Sequence, residues 1–356
     1  MPDPILLSKF IPNSNCKYKN SEFNIDYKIN SQGLRDYDHT VKKPPDTFRI
    51  LLLGDSFAEG YGLEINKSFG KIIESRLSKI AGQKIEVINA GLSGRGLLTE
   101  YLYLRFFGIH YEPDLTILVF NMTDFLETFQ EHELLTENGK QFLKNDNFIS
   151  SPHLGLTNEL FRLEDLGTNQ QTNLTKEENI DPLNILRKII LITKNKTLSH
   201  FGNYKHLLAI PENQFGNIRI DPFALTRNFD IQEYEQASLE PKNDILRFQK
   251  LLHTNNSKFL MLLVPNGHMV NGKQWEVGRF VTWGFEKDKV YDNQAFLMMR
   301  VFMKSRNIDT VDLTPLLKVK STNKKLFFDF DGHLNIEGNK TVGEFMSSFL
   351  QANYLY

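Results

Sequence analysis

The chain has 356 residues, enough for one large α/β domain with insertions or for two ordinary domains. With 40% hydrophobic and 24% charged residues, collagen-like, coiled-coil and wholly disordered chains are excluded. The 42 Lys and Arg against 43 Asp and Glu leave a formal charge of −1, so no global basic field points to nucleic acid or an anionic membrane. One cysteine, Cys16, rules out an intramolecular disulfide framework and a cysteine-built zinc cluster. The longest apolar runs, Ile50–Leu53 and Phe259–Val264, are far below the roughly 20 residues of a membrane span. The segment Met1–Phe10 holds Asp3 and prolines and lacks a basic region ahead of an apolar stretch, so it does not read as a secretory signal. Localisation stays open between a cytoplasmic protein and a trimmed cell-envelope protein.

Residues 1–47 read as an N-terminal arm whose end, Lys42-Lys43-Pro44-Pro45, resists helix and strand alike. From Phe48 the texture changes. Ile50–Leu53, ending in Gly54, has the continuous apolar run of a parallel strand buried on both faces. Phe69, Ile72, Ile73, Leu77 and Ile80 recur at helical spacing, with Asn66 as N-cap and Gly82 just beyond the end. Ile85–Ile88 predicts a strand, Leu97–Phe107 a helix closed by Gly108, and Leu115–Phe120 a third strand. Residues 125–243 break the alternation and read as an insertion or subdomain, with 141–180 as loop or surface. Regularity returns at 244–356. Helices are expected near Asp244–His253 and Asn293–Arg306, strands at Lys258–Val264 and Ile308–Leu313, and a last helix from about Asn335 to Leu350. Five strands with crossover helices imply a three-layer α/β/α fold on a five-stranded, parallel, flavodoxin-like sheet, with ligands at the C-terminal strand ends.

Four segments fall at such ends. Gly54-Asp55-Ser56-Phe57 follows the first strand and offers Ser56 as a nucleophile beside a helix N-terminus; taken alone it reads first as a capped strand-to-helix turn. Asn89-Ala90-Gly91-Leu92-Ser93-Gly94-Arg95-Gly96 follows the second, where glycines let backbone N–H groups approach a substrate oxygen, or simply make a turn. Its glycines do not follow Gly-x-Gly-x-x-Gly, which argues against a dinucleotide. Asn121-Met122-Thr123-Asp124 follows the third strand and supplies polar donors or a helix cap. Asp329-Phe330-Asp331-Gly332-His333-Leu334-Asn335 precedes the last helix; its histidine can act as a base oriented by a carboxylate, or serve as a cap.

Together these segments resemble the SGNH, or GDSL-type, hydrolase superfamily over about residues 48–124 and 244–350, most closely at Gly54-Asp55-Ser56 and at Asp331-Gly332-His333-Leu334-Asn335 with Gly338. The resemblance implies Ser56 as nucleophile, His333 as base, and Gly94 as the glycine of the second block. Two departures stand out. The usual third block is Gly-x-Asn-Asp, whereas Thr123 here precedes Asp124 and the only Asn is Asn121. A shift of two along a strand keeps the face but moves the group roughly 6 to 7 Å, so register favours Thr123 as oxyanion donor with Asn121 second. The usual acid lies three residues before the histidine, where this chain has Phe330; Asp331 resembles the Asp-x-His form of a subset of the superfamily, and Asp329 is the alternative.

The resemblance implies a serine esterase acting on an O-acyl ester, O-acetyl in the first instance and of a carbohydrate, with no metal and no organic cofactor. Its expected partner is a small-molecule or glycan ester, not nucleic acid. The same triad would serve an O-acetyltransferase, and a non-catalytic glycan-binding protein on this fold is the reading from a different class. Arg35, in the lead-in Asn30–Asp36, reads either as a structural ion pair or as substrate-facing. His268 is a reserve base, and His110 a loop or core residue.

Overall fold

The computed structural model describes residues 2–3, 5–133, 143, 222–275, 278–279 and 283–355. Nearly all of the expected loop at 141–180 and much of the insertion therefore lie outside the described residues. Two short strands, β1 (Pro2–Asp3) and β2 (Leu7–Ser8), pair antiparallel, and β3 (Asn15–Lys19) pairs with β4 (Asn24–Lys28) in a second antiparallel hairpin. The arm thus contains a hairpin where none was expected. The reason lies in β4, where Ile25 is buried and Tyr27 half-buried between exposed neighbours, the period-2 pattern of a strand with one covered face.

The core sheet is built from β5 (Thr47–Leu53), β6 (Lys84–Asn89), β7 (Leu115–Phe120), β8 (Lys258–Leu263) and β9 (Asp309–Asp312). All neighbours are parallel, and the spatial order is β6-β5-β7-β8-β9. This is the flavodoxin-like order expected from the sequence. Ile50–Leu53 and all of β7 are buried, as continuous apolar runs require when helices cover both faces.

The first helices are α1 (Ser56–Glu59), α2 (Phe69–Leu77), α3 (Leu97–Phe106) and α4 (Asp124–Glu133). They are followed by α5 (Ala224–Arg227), α6 (Ile231–Ala237), α7 (Leu239–Thr254) and α8 (Gly267–Val270). The last are α9 (Gln294–Ser305), α10 (Thr314–Lys320) and α11 (Ile336–Tyr354). Helix α2 packs with α11, while α3 packs with α4 and α7. Right-handed crossovers from a sheet that grows in both directions from β5 put these two groups on opposite faces. The N-cap of α2 is Ser68 rather than Asn66, because Ile65–Lys67 first makes a 3₁₀ turn; the helix ends at Leu77, leaving Ile80 exposed. Among the described residues, no helix is long and apolar enough to cross a membrane.

Chain direction reverses across the sheet between β5 and β7, whose onward connections run to opposite sides. That point opens a crevice at the C-terminal strand ends. Ser56 follows β5 and Asn121 follows β7 at its two lips.

Candidate active site

Ser56 is the first residue of α1, and Asp55 caps the helix by accepting from the Phe57 N–H at 2.9 Å. The first-turn N–H groups of a helix have no partner within it. The Ser56 N–H is one of these groups, placed by α1 at the end of β5. The Ser56 hydroxyl lies 2.6 Å from His333 Nε2, and His333 Nδ1 lies 2.5 Å from Asp331 Oδ1. These two contacts join Ser56, His333 and Asp331 in one line of hydrogen bonds. Asp329 takes no part: its carboxylate pairs with Lys325 at 2.6 Å.

The loop bearing Asp331 and His333 is a small hairpin. Phe327 and Leu334 form an antiparallel bridge, the Phe328 N–H donates to the His333 carbonyl at 2.8 Å, and the Asn335 N–H donates to the Leu326 carbonyl at 2.9 Å. Gly332 turns the chain between acid and base at φ 90°, a left-handed conformation that a side chain would strain. Asn335 then caps α11 by accepting from the Gly338 N–H. The imidazole sits against two rings, Tyr61 at 4.8 Å and Phe57 at 5.0 Å between centroids. Burial works against the charge of Asp331, but the His333 hydrogen bond, the His333 charge and Arg279 outweigh it and hold its carboxyl below the ordinary range.

Gly94 lies exposed at φ 72°, with open space where a Cβ would stand. Its loop is tied to the nucleophile helix through Glu59, whose Oε2 accepts from the Ser93 N–H at 2.8 Å and hydroxyl at 2.7 Å. Thr123 is half-buried; its hydroxyl lies 2.9 Å from Asn121 Oδ1 and 3.1 Å from Glu127 Oε2. Asn121 is fully buried, and its amide donates to Asp55 Oδ2 at 2.8 Å. Both alternatives for a side-chain donor are thus bonded within the protein, Asn121 through its amide and Thr123 through its hydroxyl.

Below the site runs a group of buried carboxyls. Burial raises Asp55 above the ordinary carboxylate range, against hydrogen bonds from Phe57, Asn121 and Ser56 and the His333 charge. Burial raises Asp124 and Glu100 strongly as well, and the surrounding carboxylates push in the same direction. Burial also pushes Glu59 up to about 7 despite its bonds from Ser93.

Other candidates lie away from the crevice chemistry. Arg35 is buried, not substrate-facing: its guanidinium donates to the carbonyls of Glu59 at 3.2 Å, Gly60 at 2.7 Å and Leu63, and stacks on Tyr27. It therefore pins the end of α1 from the arm. His268 is fully buried among Phe223, Trp275, Phe285 and Tyr291, with Nε2 2.9 Å from the Thr226 hydroxyl. Burial, together with Arg227 and Arg279, lowers its pKa well below the ordinary value. Two residues absent from the motifs also reach the site: Glu22 and Arg279 both bond the backbone of Asp331. Among the described residues, no group of three or more His, Cys, Asp and Glu is arranged to hold a metal ion.

No protein-family model matches the chain, and no curated protein matches it. Among solved structures it is similar to the acetyl xylan esterase AlAXEase at 14% identity, covering 85% of this chain and 100% of that one, with a TM-score of 0.40. It is similar to TesA at 11% identity, covering 86% and 99%, with a TM-score of 0.40. It is also similar to Est24, a carbohydrate acetylesterase from Sinorhizobium meliloti, at 10% identity, covering 86% and 100%, with a TM-score of 0.41. At identities and scores of this size, what the chain does has to be read from its own side chains.

Proposed function

We propose that the chain is a serine esterase of the SGNH type that hydrolyses O-acyl esters, O-acetyl esters of carbohydrates in the first instance. One observation carries the reading: the unbroken line Ser56 Oγ, His333 Nε2, His333 Nδ1, Asp331 Oδ1, with steps of 2.6 and 2.5 Å. Serine is a weak nucleophile until a base takes its proton, and a histidine keeps the needed tautomer when a carboxylate holds its other nitrogen.

In this reading Ser56 Oγ attacks the ester carbonyl carbon as its proton passes to His333 Nε2. Asp331 stabilises the imidazolium and does not itself take the proton. The carbonyl oxygen, now negative, is held by the N–H groups of Ser56 and Gly94 and by the Thr123 hydroxyl. As the C–O bond breaks, the alcohol leaves with the proton from His333, and the acyl group stays on Ser56. Water, deprotonated by His333, then attacks the acyl-enzyme, and the carboxylic acid departs from the regenerated serine.

The carbohydrate part of the reading is supported by the rim. Tyr61 lies tilted against His333, Tyr18 packs edge-on against Tyr61 with ring centroids 5.6 Å apart, and Phe330, next to Asp331, is 57% exposed. Flat apolar faces beside a nucleophile suit the C–H faces of a sugar ring.

The test is hydrolysis of p-nitrophenyl acetate and of longer-chain esters, followed by acetate release from acetylated xylan. Activity should favour acetyl, and Ser56→Ala and His333→Ala should each abolish it. Turnover surviving in either variant removes that residue from the mechanism. No turnover by the intact chain, with or without sugar acceptors, overturns the enzyme reading in favour of glycan binding.

A further inference from the structure

Glu22 sits in the turn between β3 and β4 of the N-terminal hairpin, far in sequence from every motif residue. Its carboxylate nevertheless reaches the loop bearing Asp331 and His333. Oε1 accepts from the Asp329 N–H at 2.7 Å, and Oε2 accepts from the Phe330 N–H at 3.1 Å and the Asp331 N–H at 2.7 Å. Arg279 Nε donates to the Asp331 carbonyl at 2.6 Å, and Nη2 bonds the same oxygen. Both peptide groups of Asp331 are therefore gripped, one by an anion and one by a cation.

The loop's carbonyls have partners of their own, the Arg279 N–H on Asp329 at 2.9 Å and Trp275 Nε1 on Gly332 at 3.1 Å, whereas the three successive N–H groups from Asp329 to Asp331 all converge on Glu22. The tip residue Phe330 is exposed, and Gly332 gives the backbone extra freedom. Hydrogen bonds to a charged acceptor are the stronger kind, and three converging N–H groups define a position as well as a strength. The hairpin is in turn docked through rings, with Phe23 against Phe328 at 5.4 Å and Tyr18 against Tyr61 at 5.6 Å.

We propose that Glu22 is a positioning residue of the active site: by holding the backbone from Asp329 to Asp331 it sets the Asp331 carboxylate on His333 Nδ1. This rests on the esterase reading above. Glu22 touches neither substrate nor the reacting atoms; it acts through Asp331. Misplacement of a catalytic group by about 1 Å costs on the order of 10²-fold in rate, which sets the size of the expected effect.

The experiment uses the full chain and the variants Glu22→Ala, Glu22→Gln and Ser56→Ala. Two quantities are measured: kcat and KM for p-nitrophenyl acetate, and the far-downfield proton NMR signal of the hydrogen shared by His333 Nδ1 and Asp331. Glu22→Ala should lower kcat about 10²-fold with KM unchanged, and should broaden or remove that signal while the thermal midpoint and near-UV dichroism report an intact fold. Glu22→Gln keeps one acceptor oxygen and should fall between wild type and Glu22→Ala. A folded Glu22→Ala with wild-type kcat and an unchanged downfield proton overturns the proposal. If Glu22→Ala does not fold, Glu22→Gln decides by the same two readouts. Turnover that survives Ser56→Ala overturns the esterase reading alone. The NMR comparison needs no turnover and still decides the role of Glu22, and a wild-type spectrum without the downfield proton overturns that role too.

Discussion

Asn121 and Asp55 meet across the crevice between β7 and β5: the Asn121 amide donates to Asp55 Oδ2 at 2.8 Å. The other end of the same amide accepts from the Thr123 N–H at 2.8 Å and lies 2.9 Å from the Thr123 hydroxyl. Asn121 thus braces the two lips of the crevice. The Thr123 hydroxyl, half-buried, donates to Asn121 Oδ1 or Glu127 Oε2, and in the proposed reaction it would exchange these acceptors for the oxyanion.

Thr123→Val removes that hydroxyl at nearly constant volume. We expect kcat for p-nitrophenyl acetate to fall by about 10² to 10³, the usual cost of one oxyanion donor, with KM and thermal midpoint little changed. Asn121→Ala should act on stability as well, lowering it by about 1 to 3 kcal/mol in urea unfolding because the buried Asp55 loses a donor. Wild-type turnover in Thr123→Val would take the threonine out of the oxyanion hole.

Asp331 and Asp329 should separate cleanly. Asp331→Asn keeps the shape but presents the wrong hydrogen-bonding group to His333 Nδ1, and kcat should drop by about 10⁴, as when a triad tautomer is lost. Asp329→Asn disturbs only a surface pair with Lys325, so turnover should stay within about twofold of wild type. Equal losses in the two variants would count against Asp331 as the orienting acid.

Glu59 makes a prediction about pH. Its carboxyl is fully buried and raised from an ordinary 4.5 to about 7, so between those values the folded chain holds a proton that the unfolded chain has released. Stability therefore falls as pH rises through this window and levels off above about 7, with Glu59 contributing a loss on the order of 3 kcal/mol. Asp55, Glu100 and Asp124, also raised by burial, tilt the curve the same way. Glu59→Gln keeps an acceptor for Ser93 and carries no titration, so urea unfolding at pH 5, 6, 7 and 8 should give it a shallower slope than wild type. Identical slopes would mean that Glu59 is not the proton holder.

The sheet was legible because Ile50–Leu53 and Leu115–Phe120 are unbroken apolar runs, and only burial on both faces explains such runs. The hairpin was not, because all five residues of β3 are exposed and leave no hydrophobic trace. Its signal was confined to the alternation at Ile25 and Tyr27. Ser56, Asp331 and His333 stood out as motif residues with side chains suited to chemistry. Glu22 could not, since its partners are backbone N–H groups more than 300 positions away and any carboxylate on any turn looks the same in a sequence. The choice between Thr123 and Asn121 was visible in the sequence, but the Asn121 partner was not: it depends on Asp55 standing opposite Asn121, which strand order decides.

The spacing of these contacts along the chain also bears on how the molecule comes together. Ser56 and His333 are 277 positions apart, and Glu22 and Asp331 are 309 apart. Closing loops of this size costs more entropy than the β3–β4 turn does, although pairing β7 with β8 already joins Leu115 to Lys258 across 143 positions and the cost grows slowly with length. The β3–β4 hairpin can close within microseconds, yet its carboxylate has nothing to grip until α10 and the loop beyond it have settled. The site is therefore complete only when the two ends of the chain, the hairpin and the loop before α11, have both come to the sheet.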